Sequence, residues 1–278
     1  MNKDSIIVGL RNSSIMRKLL TPAVKISKHI EEMQYLKLPD SKIIAQYKNI
    51  YPGKRCFVIG NGPSLTVDDL EKLNDEITFA TNGIFHVFEK TLWRPTFYMS
   101  MDNSFLDSQI ENIKREVVGR KFLNFYSEKY GRQESDDIVY FLIKGPYVAD
   151  RSKFFQEDVS EDVSKYFAQT FSVTTTCIEF AIYMGIKEIY LLGVDNNFTQ
   201  AINTNNANIH FYSNEKGLQS IVHYAENQIK SYELYREFGK KHGCQIYNAT
   251  RGGMLEVFPR INLDTVLEAN TYDHKQID

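Results

Sequence analysis

The stretch Arg55-Cys-Phe-Val-Ile-Gly-Asn-Gly-Pro-Ser-Leu65 decides the fold that this sequence predicts. Its apolar run from Cys56 to Ile59 is typical of a parallel strand that is buried on both faces. The run stops at Gly60-Asn61-Gly62-Pro63-Ser64, where two glycines permit backbone angles that a side chain would forbid. Acidic residues follow at once, and such residues favour the first turn of a helix. The stretch therefore predicts a strand, a tight turn and a helix start, in that order.

A turn of this kind is a common binding site for a phosphate or a nucleotide. It brings unpaired backbone N–H groups and the hydroxyl of Ser64 to one point. An ordinary strand-to-helix turn explains the same residues equally well, because their spacing is not the G-x-G-x-x-G of dinucleotide-binding proteins. The sequence thus predicts Gly60, Asn61, Gly62 and Ser64 as nucleotide-binding residues and leaves the plain turn as the alternative.

The composition is that of a soluble globular protein, with 42% hydrophobic and 24% charged residues. A formal charge of −2 gives no reason to expect a nucleic-acid binder. No apolar run approaches the roughly 18 residues of a membrane span, and the N-terminus lacks the apolar core of a secretory signal. Cys56, Cys177 and Cys244 are far apart, which argues against a zinc site and a disulfide framework. A cytoplasmic protein is the simplest interpretation.

The first 54 residues differ from the rest in charge, with ten Lys and Arg against four Asp and Glu, a local excess of +6. Ile26, Ile30, Met33 and Leu36 recur at helical spacing after Thr21-Pro22, which predicts a helix start there. The favoured interpretation is a set of helices packed on the main domain with a solvated basic face. The alternative is a basic amphipathic segment that lies on an anionic membrane surface or meets a partner.

From Arg55 onward strands and helices alternate, which predicts an α/β fold with a Rossmann-like parallel sheet and crossover helices. The sequence divides into a basic helical extension (1–50), a nucleotide-binding catalytic domain (51–270) and a tail (271–278). The predicted strands after the first are Ile77–Thr81, Thr96–Met101, Lys121–Tyr126, Ile138–Ile143, Glu188–Gly193 and Gln245–Asn248, and the predicted helices include Ser41–Lys48, Thr174–Met184 and Ala225–His242.

Polar side chains gather at the predicted carboxyl ends of these strands, where an open α/β sheet binds its ligands. Asparagine amides both donate and accept hydrogen bonds, which suits ribose hydroxyls and base edges. An asparagine at a strand end also tolerates a left-handed turn without any ligand, but its recurrence at four strand ends favours a nucleotide. The residues at these ends are Asn61, Ser64, Asn82, Asp102, Asn103, Asp195, Asn196, Asn248, Thr250 and Arg251.

Two further groups are candidates for contact with a phosphate. Thr174 and Thr175 belong to a hydroxyl cluster before a predicted helix, which would either bind an anion or cap the helix. Arg251 precedes Gly252-Gly253 and would either hold an anion or stabilise its own turn.

Catalytic chemistry has fewer candidates. His210 lies in a polar loop before Phe211-Tyr212 and is either a general base or simply exposed. Asp102 and Asp195 would share a magnesium ion only if their strands are neighbours. The sequence predicts no other metal site.

The segments Ile59 to Leu65 and Met184 to Asp195, with the strand that ends at Asn82, resemble the bacterial sialyltransferases of glycosyltransferase family 42. The resemblance extends from about Lys54 to Leu263. It implies a sialyltransferase-like variant of the GT-A fold, with a small lid at about 196–224. It also implies metal-free use of CMP-sialic acid, so that the nucleotide sugar is a substrate and no cofactor is needed.

The same resemblance assigns roles to single residues. It implies that Asn61, Gly62, Ser64, Asn82 and Asn103 hold the CMP. It further implies that the histidine of the lid deprotonates the acceptor hydroxyl, and His210 is in that place. The tyrosines by which that family stabilises the departing phosphate are replaced here by Asn196-Asn197-Phe198. Tyr212, Arg251 or the threonines at 174–176 would then do that work.

The pattern Tyr247 to Gly253 also resembles a sister group, the family of domain of unknown function 115. That group includes archaeal 6-hydroxymethylpterin diphosphokinases, which use ATP and magnesium, and proteins of surface-polysaccharide pathways. Three functions follow as predictions: a glycosyltransferase acting on a surface glycan, a magnesium-dependent pyrophosphokinase, and a non-catalytic nucleotide-binding module. The partners expected are a nucleotide-sugar donor, a glycan acceptor and, through the basic N-terminus, the inner membrane face. A homo-oligomer is compatible with the sequence.

Overall fold

Parallel strands form the centre of the fold. The computed structural model describes residues 14–125, 135–145, 159–197 and 225–273. Within these residues the strands are β1 (Arg55–Ile59), β2 (Thr78–Thr81), β3 (Phe97–Ser100), β4 (Lys121–Asn124), β5 (Ile138–Phe141), β6 (Ile143–Lys144), β7 (Phe167–Ala168), β8 (Glu188–Leu192) and β9 (Gln245–Asn248). The helices are α1 (Ser14–Tyr35), α2 (Pro39–Ala45), α3 (Val67–Glu71), α4 (Asn103–Glu116), α5 (Val173–Tyr183), α6 (Ala225–Lys241) and α7 (Leu263–Asp273), with a 3₁₀ helix over Asn82–Val87.

In the described part of the chain, seven strands form one parallel sheet in the order β5-β4-β3-β2-β1-β8-β9. The chain proceeds outward from β1 to β5 and then returns to the other side of β1 to form β8 and β9. The order of the strands therefore reverses between β1 and β8, which pair in parallel from Arg55 opposite Glu188 to Ile59 opposite Leu192. Such a reversal opens a crevice at the carboxyl ends of the two strands. The predicted α/β parallel sheet with crossover helices is confirmed.

Strand β1 is buried on both faces, as its apolar run predicts. Cys56 and Val58 belong to a core cluster that includes Phe180 of α5. Phe57 and Ile59 point to the opposite face, because successive side chains of a strand alternate, and they join a second cluster. The burial of both faces fixes β1 at the middle of the molecule.

Most element bounds agree with the sequence prediction to within one or two residues. β4 ends at Asn124 rather than at Tyr126. The pairing of β6 with β7 in a separate parallel ladder was not predicted, because each strand has only two residues. α7 continues to Asp273, beyond the domain limit of 270 that the sequence indicates.

The predicted helix start at Thr21-Pro22 is wrong, because Pro22 lies inside α1, which is already helical at Ser14. A proline removes one hydrogen bond of the helix and does not always end it. The helix does lie on the main domain, through Tyr35, whose buried ring contacts the ring of Phe125 edge to face at 5.4 Å. The apolar residues Ile26 and Ile30, however, point outward, so the solvated face of α1 is partly apolar.

Helix α2 covers the edge strand β5. The buried carboxylate of Asp40 accepts a hydrogen bond from the backbone N–H of Tyr140 at 2.8 Å, and Ile44 is fully buried in the core. Residues that the sequence assigns to the N-terminal extension thus contribute to the packing of the sheet. The three cysteines are free and buried. None of the helices in the described residues combines the length and the apolar character needed to cross a membrane.

Candidate functional site

The loops that follow β1 and β8 pack tightly against each other at the crevice. The N–H of Gly60 donates to the carbonyl of Leu192 at 2.8 Å, and the N–H of Gly62 donates to the carbonyl of Gly193 at 2.7 Å. A Cβ at Gly60 would lie 2.4 Å from the Gly193 oxygen, and one at Gly62 would lie 1.8 Å from Oδ2 of Asp195. Glycine is therefore required at both positions by the close approach of the second loop.

Ser64 directs its hydroxyl at Asp195. The hydroxyl donates to Oδ2 of Asp195 at 2.7 Å. Burial raises the pKa of Asp195, and hydrogen bonding by Ser64 partly offsets this rise. The expectation of unpaired N–H groups at this turn is wrong for Gly60 and Gly62, because both donate to carbonyls of Leu192 and Gly193.

Two buried amide oxygens at the same edge have no hydrogen-bond partner among the residues that the structure describes. The side-chain nitrogen of Asn61 donates to the carbonyl of Thr81 at 2.9 Å, whereas its Oδ1 is buried and unpaired. Oδ1 of Asn196 is also buried and unpaired, on a residue with a left-handed backbone (φ 50°). A buried acceptor without a donor is unfavourable, and native structures contain few of them. Each oxygen is thus suited to a hydroxyl or amine that arrives with a ligand.

Asn82 and Asn103 follow the next two strands, and both are half-buried. Oδ1 of Asn82 accepts from the hydroxyl of Ser100 at 2.9 Å, and its backbone is left-handed (φ 44°). Oδ1 of Asn103 accepts from the amide of Asn124 at 3.1 Å. Both oxygens are engaged within the protein, so each side chain has its amide nitrogen as a donor for a ligand.

Asp102 caps α4, and its exposed carboxylate accepts from the N–H of Phe105 at 2.8 Å. Because β2 and β1 lie between β3 and β8, Asp102 and Asp195 are about three strand spacings apart, or roughly 14 Å. The condition for a shared magnesium ion is not met. Within the described ranges there is no group of three or more His, Cys, Asp or Glu side chains arranged to hold a metal.

The threonines at the start of α5 are buried and bonded within the protein. Oγ1 of Thr174 contacts the hydroxyl of Tyr232 on α6 at 2.5 Å, and Oγ1 of Thr175 contacts that of Thr170 at 2.7 Å. Ser172, at the N-cap position, makes no side-chain capping bond. The hydroxyl cluster thus joins α5 to α6, and a phosphate would have to replace these bonds.

The loop after β9 packs beneath Asp195. Asn248 is 1% exposed, and its amide donates to the Leu255 carbonyl at 2.8 Å and accepts from the N–H of Thr250 at 3.0 Å. Asn248 therefore holds this loop and does not present its amide to a ligand. A Cβ at Gly253 would lie 2.7 Å from the backbone oxygen of Asp195, so glycine lets the loop approach the site.

Arg251 belongs to the same loop and is exposed to solvent. Its guanidinium forms an ion pair with the buried carboxylate of Asp69. Asp69 also completes a capping box with Thr66 at the start of α3. Arg251 is thus held beside the helix that follows the glycine turn, although part of its charge is neutralised.

Two predicted catalytic residues, His210 and Tyr212, lie outside the described residues, as do residues 198–224 of the predicted lid. Asn124, Ser100 and Thr81 were missed as site residues. Asn124 was assigned to the interior of a strand, because Phe125-Tyr126 continue its apolar pattern. Asn124 lies at the end of β4. A position at a strand end is also what makes the other asparagines candidate site residues.

The molecule is a Rossmann-like α/β protein whose amide and carboxylate side chains meet at the carboxyl edge of the sheet, on both sides of the β1–β8 reversal. Residues 27–201 match the family model described as 6-hydroxymethylpterin diphosphokinase MptE-like. Since this match covers more than half of the chain, the protein belongs to that family. None of the curated proteins matches the sequence.

Solved sialyltransferase structures are partly similar to this one. A complex of the sialyltransferase CstII from Campylobacter jejuni with the substrate analogue CMP-3FNeuAc shows 19% identity and a TM-score of 0.42, over 75% of this chain and 86% of that chain. A complex of a Cst-II variant with CMP shows 18% identity and a TM-score of 0.40 over the same shares, 75% and 86%. The monofunctional α-2,3-sialyltransferase Cst-I from Campylobacter jejuni shows 15% identity and a TM-score of 0.32, over 76% of this chain and 82% of that chain.

Proposed function

We propose that the protein is a nucleotide-dependent transferase that moves a sugar from a CMP-linked donor to a hydroxyl of a surface polysaccharide or glycoconjugate. The observation that carries the proposal is the buried, unpaired Oδ1 of Asn61 at the end of β1. Ribose hydroxyls and the exocyclic amine of cytosine are donors that would pair with this oxygen. Asn82 and Asn103, at the ends of β2 and β3, extend the same edge toward the rest of the nucleotide.

The donor phosphate has a defined place in this proposal. It lies next to Ser64, whose hydroxyl now donates to the Asp195 carboxylate. Arg251 supplies positive charge from the loop that packs under Asp195. Positive charge and hydrogen-bond donors fixed near a leaving phosphate stabilise the negative charge that develops on it.

The reaction is a displacement at the sugar. The acceptor oxygen forms a bond to the anomeric carbon while the bond from that carbon to the phosphate oxygen breaks. The acceptor proton passes to the imidazole of His210, and CMP leaves with the negative charge. Tyr212 and Arg251 are the candidates to stabilise this leaving group. A base for this step must come within about 3 Å of the acceptor oxygen.

Calorimetric titration tests the choice of donor. The full chain is titrated with CMP, UMP, GDP and ATP, each with and without magnesium. Binding of CMP that does not need magnesium supports sugar transfer. A protein that binds none of the four nucleotides overturns the proposal.

Replacement of His210 tests the mechanism. His210→Ala should abolish sugar transfer and leave CMP affinity nearly unchanged, because the base acts on the acceptor and not on the nucleotide. His86→Ala is the matched control, since His86 is exposed on the 3₁₀ helix. Full transfer activity of His210→Ala, or an equal loss of binding and transfer, would contradict the assignment.

Membership in the MptE-like family favours a second candidate, a pyrophosphokinase. Such an enzyme would transfer the diphosphate of ATP to a hydroxymethyl group with the help of magnesium, while the hydroxyl loses its proton and AMP leaves. The two candidates share an acceptor hydroxyl and an activated phosphate, and they differ in nucleotide and metal. Binding of ATP that requires magnesium would favour this candidate, whereas nucleotide binding without turnover would favour a non-catalytic module.

We place the protein in the cytoplasm, peripheral to the inner face of the membrane. Surface glycans are commonly assembled on membrane-anchored acceptors, and a peripheral enzyme reaches them there. The basic excess of residues 1–54 supports this location, because the cytoplasmic leaflet is negatively charged.

A further inference from the structure

One face of α1 exposes a row of apolar side chains to solvent. Ile26, Ile30 and Met33 are 63%, 51% and 47% exposed. Their spacing of four and three residues places them on one side of the helix, and we call them the apolar stripe. Single exposed apolar residues are ordinary, but a contiguous row marks a surface that meets another apolar phase or partner.

The opposite side of α1 fixes the direction in which the stripe points. Tyr35 is fully buried, with its ring 5.4 Å from that of Phe125. The carboxylate of Glu32 is 3.1 Å from the ammonium group of Lys144 on β6. These contacts hold the helix on the domain, so that the stripe faces away from the sheet.

The charges around the stripe are mostly positive. Of the acids on this part of the chain, Glu31 pairs with Lys28 at 2.5 Å and Glu32 pairs with Lys144. Lys25 and Lys37, near the two ends of the stripe, are exposed. Residues 22–37 carry three lysines against two glutamates, and both glutamates are held in ion pairs with lysines.

We infer that the apolar stripe docks the protein on an anionic membrane surface. A helix that lies in a bilayer interface needs an apolar face at the depth of the headgroups, with Lys and Arg beside it. A second copy of the chain is the alternative occupant, but pairing two stripes would bring the exposed lysines at their ends, Lys25 and Lys37, toward those of the other copy. The negative surface of a bilayer attracts the same charges. The inference rests on the peripheral location in the proposed function and not on the chemistry of transfer.

Vesicle flotation with the full-length protein tests the inference. The two kinds of vesicle are phosphatidylcholine alone and phosphatidylcholine mixed with phosphatidylglycerol. The wild-type protein should float only with the anionic vesicles. The variant Ile26→Ser/Ile30→Ser/Met33→Ser should bind them at least about tenfold more weakly, because the stripe supplies the inserted apolar area. Leu92→Ser is the matched control, since Leu92 is 97% exposed and outside α1, and it should bind like the wild type.

A second variant tests whether the lysines near the stripe contribute to membrane binding. Lys25→Glu/Lys37→Glu should also weaken binding to anionic vesicles, and added salt should weaken the wild type in the same way. All substituted side chains are exposed, so the melting temperature of each variant should stay near that of the wild type. The inference is overturned if the wild-type protein does not bind anionic vesicles, or if the stripe variant binds them as well as the wild type does.

The oligomeric state and CMP binding distinguish the alternative explanations. A stripe variant that changes from dimer to monomer, with vesicle binding unaltered, would identify a second copy as the occupant and overturn the inference. Calorimetry with CMP on the same preparations separates this result from the proposed function. A wild-type protein that binds CMP but not anionic vesicles overturns the docking surface, and one that binds anionic vesicles but not CMP overturns the donor assignment.

Discussion

Asp195 competes for the hydrogen bonds that a ligand phosphate would use. Its Oδ2 accepts a hydrogen bond from the hydroxyl of Ser64 at 2.7 Å. A phosphate at this turn must therefore displace a negatively charged side chain or approach it closely. Either event is unfavourable as long as Asp195 carries its charge.

Asp195→Asn should raise the affinity for CMP in the absence of metal by about tenfold at neutral pH, because one like charge near the phosphate is removed. The wild-type affinity should rise as the pH falls, since burial raises the pKa of Asp195 and its charge is lost earlier than usual. The variant should lack this rise. Calorimetric titration across the pH range measures both effects.

Asp68→Asn is the control for this substitution, because Asp68 is an exposed acid on α3. It should leave both the affinity and its pH dependence unchanged. An Asp195→Asn protein that binds CMP more weakly than the wild type would contradict the competition.

At the scale of elements, the edge strand β5 depends on a side chain from the N-terminal region. Asp40 is 1% exposed and accepts from the N–H of Tyr140. Asp40→Ala should lower the free energy of unfolding by about 1–3 kcal/mol, because a buried backbone donor loses this acceptor. Urea denaturation measures the change. Lys42→Ala on the exposed side of α2 should change the stability by less than about 0.5 kcal/mol. Equal stability of the two variants would show that the Asp40 bond is not needed.

The order of strands and helices could be read from the sequence because each signal is local. The run Cys56 to Ile59 predicts burial on both faces, and the glycines after it predict the turn. The sequence predicts Asn61 and Asn82 as site residues because each lies at the turn that follows a strand. Asn124 was missed because Phe125 and Tyr126 are also apolar, and only the sheet shows where the pairing ends.

Contacts between distant parts of the chain could not be predicted in this way. Ser64 and Asp195 are 131 residues apart, and their contact depends on β8 taking the place beside β1. The outward direction of Ile26 on α1 likewise depends on which face Tyr35 anchors. The sequence shows an apolar row at helical spacing in α1. It does not show that the helix packs on the domain through another face, which carries Tyr35.

At the scale of the whole molecule, one buried carboxyl group joins three separate segments. Glu179 on α5 is 1% exposed and accepts from the N–H groups of Ser160 and Ala168 and from the hydroxyl of Tyr235 on α6. Burial raises the pKa of Glu179 to about 8, although these hydrogen bonds oppose the shift. An unfolded chain would release this proton near pH 4.3.

The free energy of unfolding should therefore fall as the pH rises from about 4 to about 8, by at most about 1.4 kcal/mol per pH unit. In this range the folded protein keeps a proton that the unfolded chain releases. Glu179→Gln should remove this part of the slope, because glutamine does not titrate and keeps a similar shape. Thermal or urea denaturation at several pH values measures it. The same slope in both proteins would show that Glu179 is charged in the fold.

The central position of β1 has a consequence for synthesis on the ribosome. One neighbour of β1, the strand β2, follows within a few dozen residues, whereas β8 begins about 130 residues later. At about 5–20 residues per second, β1 waits roughly 6–26 seconds with one edge unpaired. An unpaired edge of this kind is prone to join other chains.

Chains arrested before Glu188 should be cut by protease far faster than arrested chains in which β9 has left the ribosome. Equal resistance would mean that the nascent chain covers this edge in another way. The contact between Ser64 and Asp195 is thus expected to form late, and the molecule would acquire its crevice only in the later part of translation.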